Sequence, residues 1–508
     1  MYSIINWRSQ LIIYWGDKVS KYVIGIDVGT TSVKGILVDE MGKIIYTSTS
    51  PVTLLTPKPG WAEEDPLEWW ESSKKILKDI NKKYPVKIEA ISISGQMHSL
   101  VSLDEKNEIL RNAILWCDQR TDNECDELTE FYGTEKEVIE IFGNPFLTGF
   151  TAPKIQWIKN NEKQNFEKIE KLMLSKDYIA YKLTGNVAIE QSDASGTSLY
   201  KVKEGVYDSN LLKKLEIEES KLPEIIQSGG LIGKVDCEDL PFLNGVNIVA
   251  GGADNAAAAY GCGIEKPGDA MVSLGTSGTV VAITKSPIED ISGKIHLFGH
   301  VMDNTFYHMA VILSATNSLN WFLNNFLENK SLEEINELVE ESEPGSNGLI
   351  FLPYLNGERT PHKNPNARGV FFGMSSFHKK SDMLRAIYEG VVFALRQGGE
   401  CIKTLGNNFE SIKVVGGGSR SDIWCQMIAD NFKLPVNRLK VDEGAAYGSA
   451  RLAGNYSGMN TNNWIEVIST FIPQEKNYNK YDKLFEEYKS LYNSLKKDFD
   501  IIAKYQEN

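Results

Sequence analysis

Residues 24–38 read Ile24-Gly25-Ile26-Asp27-Val28-Gly29-Thr30-Thr31-Ser32-Val33-Lys34-Gly35-Ile36-Leu37-Val38. Apolar runs rich in β-branched residues flank a turn punctuated by Gly29, a pattern that predicts strand, tight turn, strand. The turn carries small hydroxyl residues and one carboxylate. Small residues let backbone N–H groups and hydroxyls approach a phosphate, and a carboxylate beside them can hold Mg²⁺ through water. An ordinary glycine-containing hairpin has little need of Asp27, Gly29, Thr30, Thr31 and Ser32 together, with Lys34 just beyond.

Residues 271–283 repeat the design: a strand to Leu274, then Gly275-Thr276-Ser277-Gly278, then a second strand. A third strand-like run follows each hairpin, at 43–48 and at 308–313. This weak internal repeat, spaced by half the chain, predicts two similar domains that each offer a phosphate-binding hairpin to a shared cleft.

Composition agrees. A chain of 508 residues is too long for one ordinary core, so two or three domains are expected. The apolar fraction of 42% is that of a globular protein. A net charge of −14 argues against a nucleic-acid or anionic-membrane partner. Six cysteines without metal-ligand or C-x-x-C spacing point to a reducing cytoplasm. Residues 1–21 show no twenty-residue apolar run and no small-residue cleavage site, and are expected to be a poorly ordered extension or a start-codon artefact.

From 22 to about 261 strands (22–27, 32–38, 43–48, 88–94, 246–251) alternate with helical patterns (66–82, 128–132, 153–166), which argues for α/β architecture. Gly and Pro interrupt the pattern near 262–267, dividing the chain into 22–262 and 263–508. The second part is expected to place strands at 270–274, 279–284 and 413–416, and helices at 314–325, 380–405, 421–432 and 445–453. Residues 476–503 read as a solvated amphipathic terminal helix.

Residues 248–259 form a strand ending in Gly251-Gly252, then Ala253-Asp254-Asn255 and four alanines. Asp254 falls at a helix start. It can be a simple N-cap. Alternatively, the glycine pair admits a ligand, and the helix N-terminus keeps the carboxylate ionised, as suits a group that accepts a hydroxyl proton during phosphoryl transfer. Ser94-Gly95-Gln96-Met97-His98 ends a strand with polar groups, where α/β sites collect. A lone histidine is more often structural. Gly416-Gly417-Gly418, between strand and helix, allows flat packing of backbone against a base or ribose.

With these residues in view, the chain from about residue 22 onward resembles the FGGY carbohydrate kinases. Two long patterns carry the resemblance: Gly149-Phe150-Thr151-Ala152-Pro153-Lys154 through Trp157 to Asn161, and Gly369-Val370-Phe371-Phe372-Gly373-Met374 followed by Asp382-Met383 and Ala386 to Glu389. Within the family, the xylulokinase group is similar at 94–98, 252–258, 351–362 and 369–373. One departure is Ala253, where that group often has glycine.

The resemblance implies two ribonuclease-H-like domains of the actin and sugar-kinase type, with the site between them. It implies ATP and Mg²⁺, and transfer of the γ-phosphoryl group to the terminal hydroxyl of D-xylulose. On this pattern Asp254 is the base and Asp27 supports it. Met97, His98, Asp254 and Asn255 contact the sugar. Thr30, Thr31, Lys34, Gly275, Thr276, Ser277, Gly417, Gly418 and Asp422 hold ATP, and Asp27 and Asp254 hold Mg²⁺ through water. The expected partner is a small sugar, with no nucleic acid or membrane and a homodimer left open.

Three alternatives remain at this point. A kinase of the same family could act on gluconate, ribulose or glycerol; a gluconate site should present an extra cation for the carboxylate. A nucleotide-switched structural or chaperone ATPase explains both hairpins but not the Met97–His98 and Asp254–Asn255 pairs. A dead regulator would be expected to lack Asp254 or Asp27.

Overall fold

The computed structural model describes residues 20–327, 330–441 and 443–506. The expectation for the N-terminal extension falls almost wholly outside these residues. Two main sheets organise the chain. The first is six-stranded, in the order 231–234, 247–253, 88–95, 22–28, 32–39, 44–51. Tyr22–Val28 pairs antiparallel with Ser32–Asp39 and parallel with Ile88–Gly95, which in turn pairs parallel with Asn247–Ala253. The second is seven-stranded, in the order 296–299, 306–312, 278–284, 269–274, 411–415, 436–439, 467–471. Asp269–Leu274 pairs antiparallel with Gly278–Thr284 and parallel with Ser411–Val415. The two hairpins therefore occupy equivalent places, each with a third antiparallel strand on one side and parallel strands on the other. The mixed α/β architecture expected from the repeat is the one observed.

Parallel pairing decides where chemistry collects. Strands 22–28, 88–95 and 247–253 run the same way, so Asp27, Gln96–His98 and Asp254 emerge at one edge of the first sheet. The same rule places Gly275–Ser277 and Gly416–Gly418 together beside the second sheet.

The two halves interlock. Helix Gly444–Tyr456, late in the chain, lies on the first sheet: a Cβ on Gly25 would stand 2.0 Å from Ala446 O. The same helix meets helix Asp254–Gly261 through Gly448, whose Cβ would sit 1.8 Å from Ala257 O. Only glycine permits such backbone approach. Arg451, fully buried, donates to Tyr260 O and pairs with Glu265 at 2.8 Å. Edge strand His296–Gly299 of the second sheet rests on first-half residues: Asn144 Nδ2 donates to Leu297 O at 2.6 Å, and Gly299 N–H donates to Ser195 Oγ at 3.0 Å.

Two local expectations are revised. The helix expected over 153–166 is two helices, Thr151–Asn161 and Lys163–Phe166, broken at Glu162, whose φ of −130° is not helical. The terminal helix, Glu475–Lys504, is amphipathic but not merely solvated: Tyr481, Phe485, Tyr488 and Phe499 enter the larger core. No disulfide joins any of the six cysteines, and among the described residues no helix is long and apolar enough to cross a membrane.

Candidate active site

Asp27 lies one residue before the end of its strand, and its Oδ1 accepts from Ser94 Oγ at 3.0 Å. Lys34 is its cross-strand partner, and the lysine also pairs with Glu443 at 3.0 Å. Burial outweighs both the Ser94 hydrogen bond and the Lys34 charge, so the Asp27 carboxyl is raised above the usual range.

Asp254 opens helix Asp254–Gly261, with Ala253 in the cap position. Its Oδ1 accepts from the Asn255 N–H at 2.6 Å and from Asn255 Nδ2 at 2.9 Å. The preceding residue is fixed as well, since Ala253 N–H donates to Ser192 Oγ at 3.0 Å. The expectation that the helix N-terminus keeps this carboxylate ionised is corrected. Burial first, then the neighbouring Asp27 charge, pushes Asp254 up to about 7, and the Asn255 donors offset only part of this. A carboxyl poised near neutrality is what a general base needs.

The buried His98 has φ +66°, a costly conformation for a side chain of its size. Its carbonyl is clamped by Lys154 Nζ at 2.8 Å and Thr151 Oγ1 at 3.2 Å. The ring stacks on Phe150 at 4.3 Å, and Nδ1 lies 2.5 Å from Gly196 O. A carbonyl only accepts, so Nδ1 carries the proton and Nε2 is left as an acceptor. Burial holds the imidazole well below its usual value and neutral. Gly196 admits the pair: a Cβ there would stand 2.6 Å from His98 Cε1 and 2.9 Å from Met97 Cε. Met97 is buried among residues of both halves, including Phe150, Phe298 and Val301.

The hairpin residues separate by environment. Thr30 Oγ1 donates to Gln96 Oε1 at 3.3 Å and accepts from Trp116 Nε1 at 3.0 Å. Gln96 Nε2 in turn donates to Glu64 at 2.9 Å. The structure thus ties Thr30 to the Gln96 side, and Thr31 is the exposed hydroxyl of the turn. In the second hairpin the carbonyls of Gly275 and Thr276 accept from Thr316 and Ala315, while the side chains of Thr276 and Ser277 stand exposed. The glycine turn packs flat on this hairpin: Cβ atoms on Gly416 and Gly418 would come within 2.8 Å of Leu274 O and 2.7 Å of Leu274 Cβ. Gly417 faces open space. Asp422 opens helix Asp422–Phe432, directly after this turn. Its side chain is 74% exposed, it pairs with Arg438 at 2.7 Å, and it borders a different hollow with Glu343 and Lys480. Among the supporting residues, Glu64 and Trp116 left no sequence signal, whereas Gln96, Thr151 and Lys154 stood within recognisable motifs.

The chain is similar to known proteins along nearly its whole length. The model for the FGGY family of carbohydrate kinases, N-terminal domain, matches residues 22–261, and that for the C-terminal domain matches 270–456. The chain is 36% identical to the xylulose kinase of Bacillus subtilis (strain 168), over 96% of this chain and 100% of that one. A ligand-bound xylulose kinase structure from Lactobacillus acidophilus superposes with TM-score 0.89 at 28% identity, covering 95% and 100% of the two chains. A gluconate kinase structure from Lactobacillus acidophilus gives 0.88 at 30% identity, covering 94% and 98%. The chain belongs to the FGGY family of carbohydrate kinases and is an ATP-dependent phosphotransferase acting on a sugar-type alcohol.

Proposed function

We propose that the chain is a xylulokinase, transferring the γ-phosphoryl group of ATP to the terminal hydroxyl of D-xylulose to give D-xylulose 5-phosphate. The observation that carries the reading is Asp254, a carboxyl near pKa 7 beside Asp27 at the edge where Met97 and His98 also emerge. The names of the xylulose kinase relatives support the choice of sugar.

In this reading the part spanning 22–262 holds the sugar and the base, and 263–508 holds the nucleotide. Asp254 accepts the proton of the attacking hydroxyl. His98 Nε2 accepts from a sugar hydroxyl, and Met97 gives the carbon chain an apolar wall. The exposed hydroxyls of Thr31, Thr276 and Ser277 reach phosphate oxygens, and Gly417 lets backbone lie close to the nucleoside. Phosphoryl transfer needs little covalent help, so positioning and electrostatics dominate. Mg²⁺ fits the donor set: Asp27 and Asp254 repel one another, and such a pair suits a divalent ion held through water. When bound, the ion neutralises charge on the phosphate oxygens.

The test is ADP release from the purified protein across D-xylulose, D-ribulose, glycerol and D-gluconate. The proposal expects D-xylulose to give a kcat/KM at least about tenfold above the others. A preference for D-gluconate or glycerol would replace it.

A further inference from the structure

The loop 357–364 overlaps the pattern at 351–362, but none of its side chains has a part in the site described so far. It is fastened on several sides. Glu358 and Asn364 exchange two backbone hydrogen bonds of 2.9 Å. Thr360 donates its N–H to Val311 O at 3.0 Å, while its hydroxyl accepts from Val311 N–H at 3.1 Å and donates to Lys294 O at 2.9 Å. Glu358 Oε1 accepts from Leu313 N–H at 3.0 Å and from Arg359 N–H at 2.8 Å. The strand so gripped ends at Ile312, opposite Gly278 of the second hairpin. The Arg359 backbone is therefore pinned to strand 306–312, which lies between the hairpin strand 278–284 and strand 296–299, the carrier of His296 and Phe298.

Those rings form one group: His98 on Phe150, Phe150 with His296 at 6.0 Å, and His296 on Phe298 at 5.5 Å. The Arg359 charge bears on both histidines and helps hold them neutral. Lys363, the other cation bearing on His296, is engaged by Glu135 at 2.8 Å. Among the described residues the Arg359 guanidinium makes no hydrogen bond and no salt bridge. Its neighbour Glu358 is a poor counter-charge, because burial pushes that carboxyl up to about 8. Arg359 is only half-buried, so water serves its unpaired guanidinium until a ligand replaces it. Asp254, by contrast, feels Asp27.

Building on the sugar site described above, we propose that Arg359 is a specificity-determining residue that reads the unphosphorylated end of the sugar. Its planar fork donates to an sp² oxygen there: the C2 carbonyl of a ketose or the carboxylate of a sugar acid. A polyol, with neither group, leaves the guanidinium unpaired and is rejected.

The test compares the full-length protein with Arg359→Met and Arg359→Lys, reading kcat and KM for D-xylulose, D-gluconate and ATP. Xylitol, which lacks only the carbonyl, is read as substrate or competitive inhibitor. Arg359→Met is expected to lose about 30- to 100-fold in kcat/KM for D-xylulose, mostly through KM. ATP KM and the xylitol constant should stay within about threefold, so the ketose preference collapses; these unchanged constants also show that the fold is intact. Arg359→Lys should recover part of the loss, since charge remains but the fork does not. Equal losses for D-xylulose and xylitol would overturn the proposal, as would a rise in ATP KM with sugar KM unchanged. If the parent uses D-gluconate and not D-xylulose, the xylulokinase reading fails, and Arg359 is judged on D-gluconate by the same criterion. A Met variant unaffected on both sugars refutes Arg359 alone.

Discussion

Asp254→Asn should separate catalysis from stability and move them in opposite directions. Burial and Asp27 raise the Asp254 carboxyl from its ordinary 3.8 to about 7. At about 1.4 kcal/mol per pH unit, the ionised side chain burdens the fold by about 4 kcal/mol. Asparagine keeps the shape and an acceptor for the Asn255 donors. It loses the extra strength of a charged acceptor, about 1–2 kcal/mol. A net gain of about 2–3 kcal/mol should remain, raising the melting temperature by about 3–8 °C. The sign fixes the pH window. A raised carboxyl destabilises the parent where it is ionised in the fold, above about pH 7; the burden fades as pH falls and is gone below the ordinary value of 3.8. The variant's advantage should therefore be full at pH 8 and absent near pH 4. Turnover, by contrast, should drop by about 10²–10⁴-fold, since asparagine cannot take a proton. Paired thermal melts and ADP-release assays at pH 8, 6 and 4 decide the matter. A variant no more stable than the parent at pH 8 would refute the strained carboxylate. Turnover within a few-fold of the parent would reduce Asp254 to a structural helix start.

Other outcomes follow from the same geometry. His98→Ala should raise sugar KM about 5- to 100-fold and leave ATP KM nearly unchanged, by loss of one acceptor in a dry pocket; equal rises in both would mark the histidine as structural. Thr276→Val should weaken ATP about 2- to 10-fold in a nucleotide titration, because its exposed hydroxyl is free to donate; unchanged affinity would leave only the hairpin backbone as the phosphate contact. Gly25→Ala should cost at least about 2 kcal/mol in denaturant unfolding, since its methyl would overlap Ala446 O and Ala450 N. A near-neutral result would mean helix 444–456 can move off the first sheet.

Both hairpins, their third strands and the alternation around them were legible because hydrophobic periodicity and turn chemistry act between residues close in sequence. That Asp27, Met97–His98 and Asp254 share one edge came from the family resemblance and from the parallel pairing of their strands in the structure. Helices Glu135–Phe142 and Leu332–Glu340 fall outside the expected elements, although Thr134 with Glu137 and Ser331 with Glu334 spell the Ser/Thr-x-x-Glu start signal.

Other features lay beyond any local rule. Gly25 is visible in the sequence, but the reason for it is a helix more than four hundred residues later. Thr30 and Asp422 belong to plausible phosphate motifs, yet one hydroxyl is taken by Gln96 and Trp116 and the other side chain turns to Arg438. The protonation of Asp254 depends on how deeply two strand ends are buried and how near Asp27 comes. Arg359 stands out because the neighbouring Lys363 has found a counter-ion and it has not. The sequence by itself determined strands, turns and the chemical character of the site, since these rest on short-range hydrogen bonding and periodicity. Only the tertiary structure decided which charges are paired, which are buried and which are left for a ligand, because desolvation and Coulomb energy depend on distances between segments far apart in the sequence.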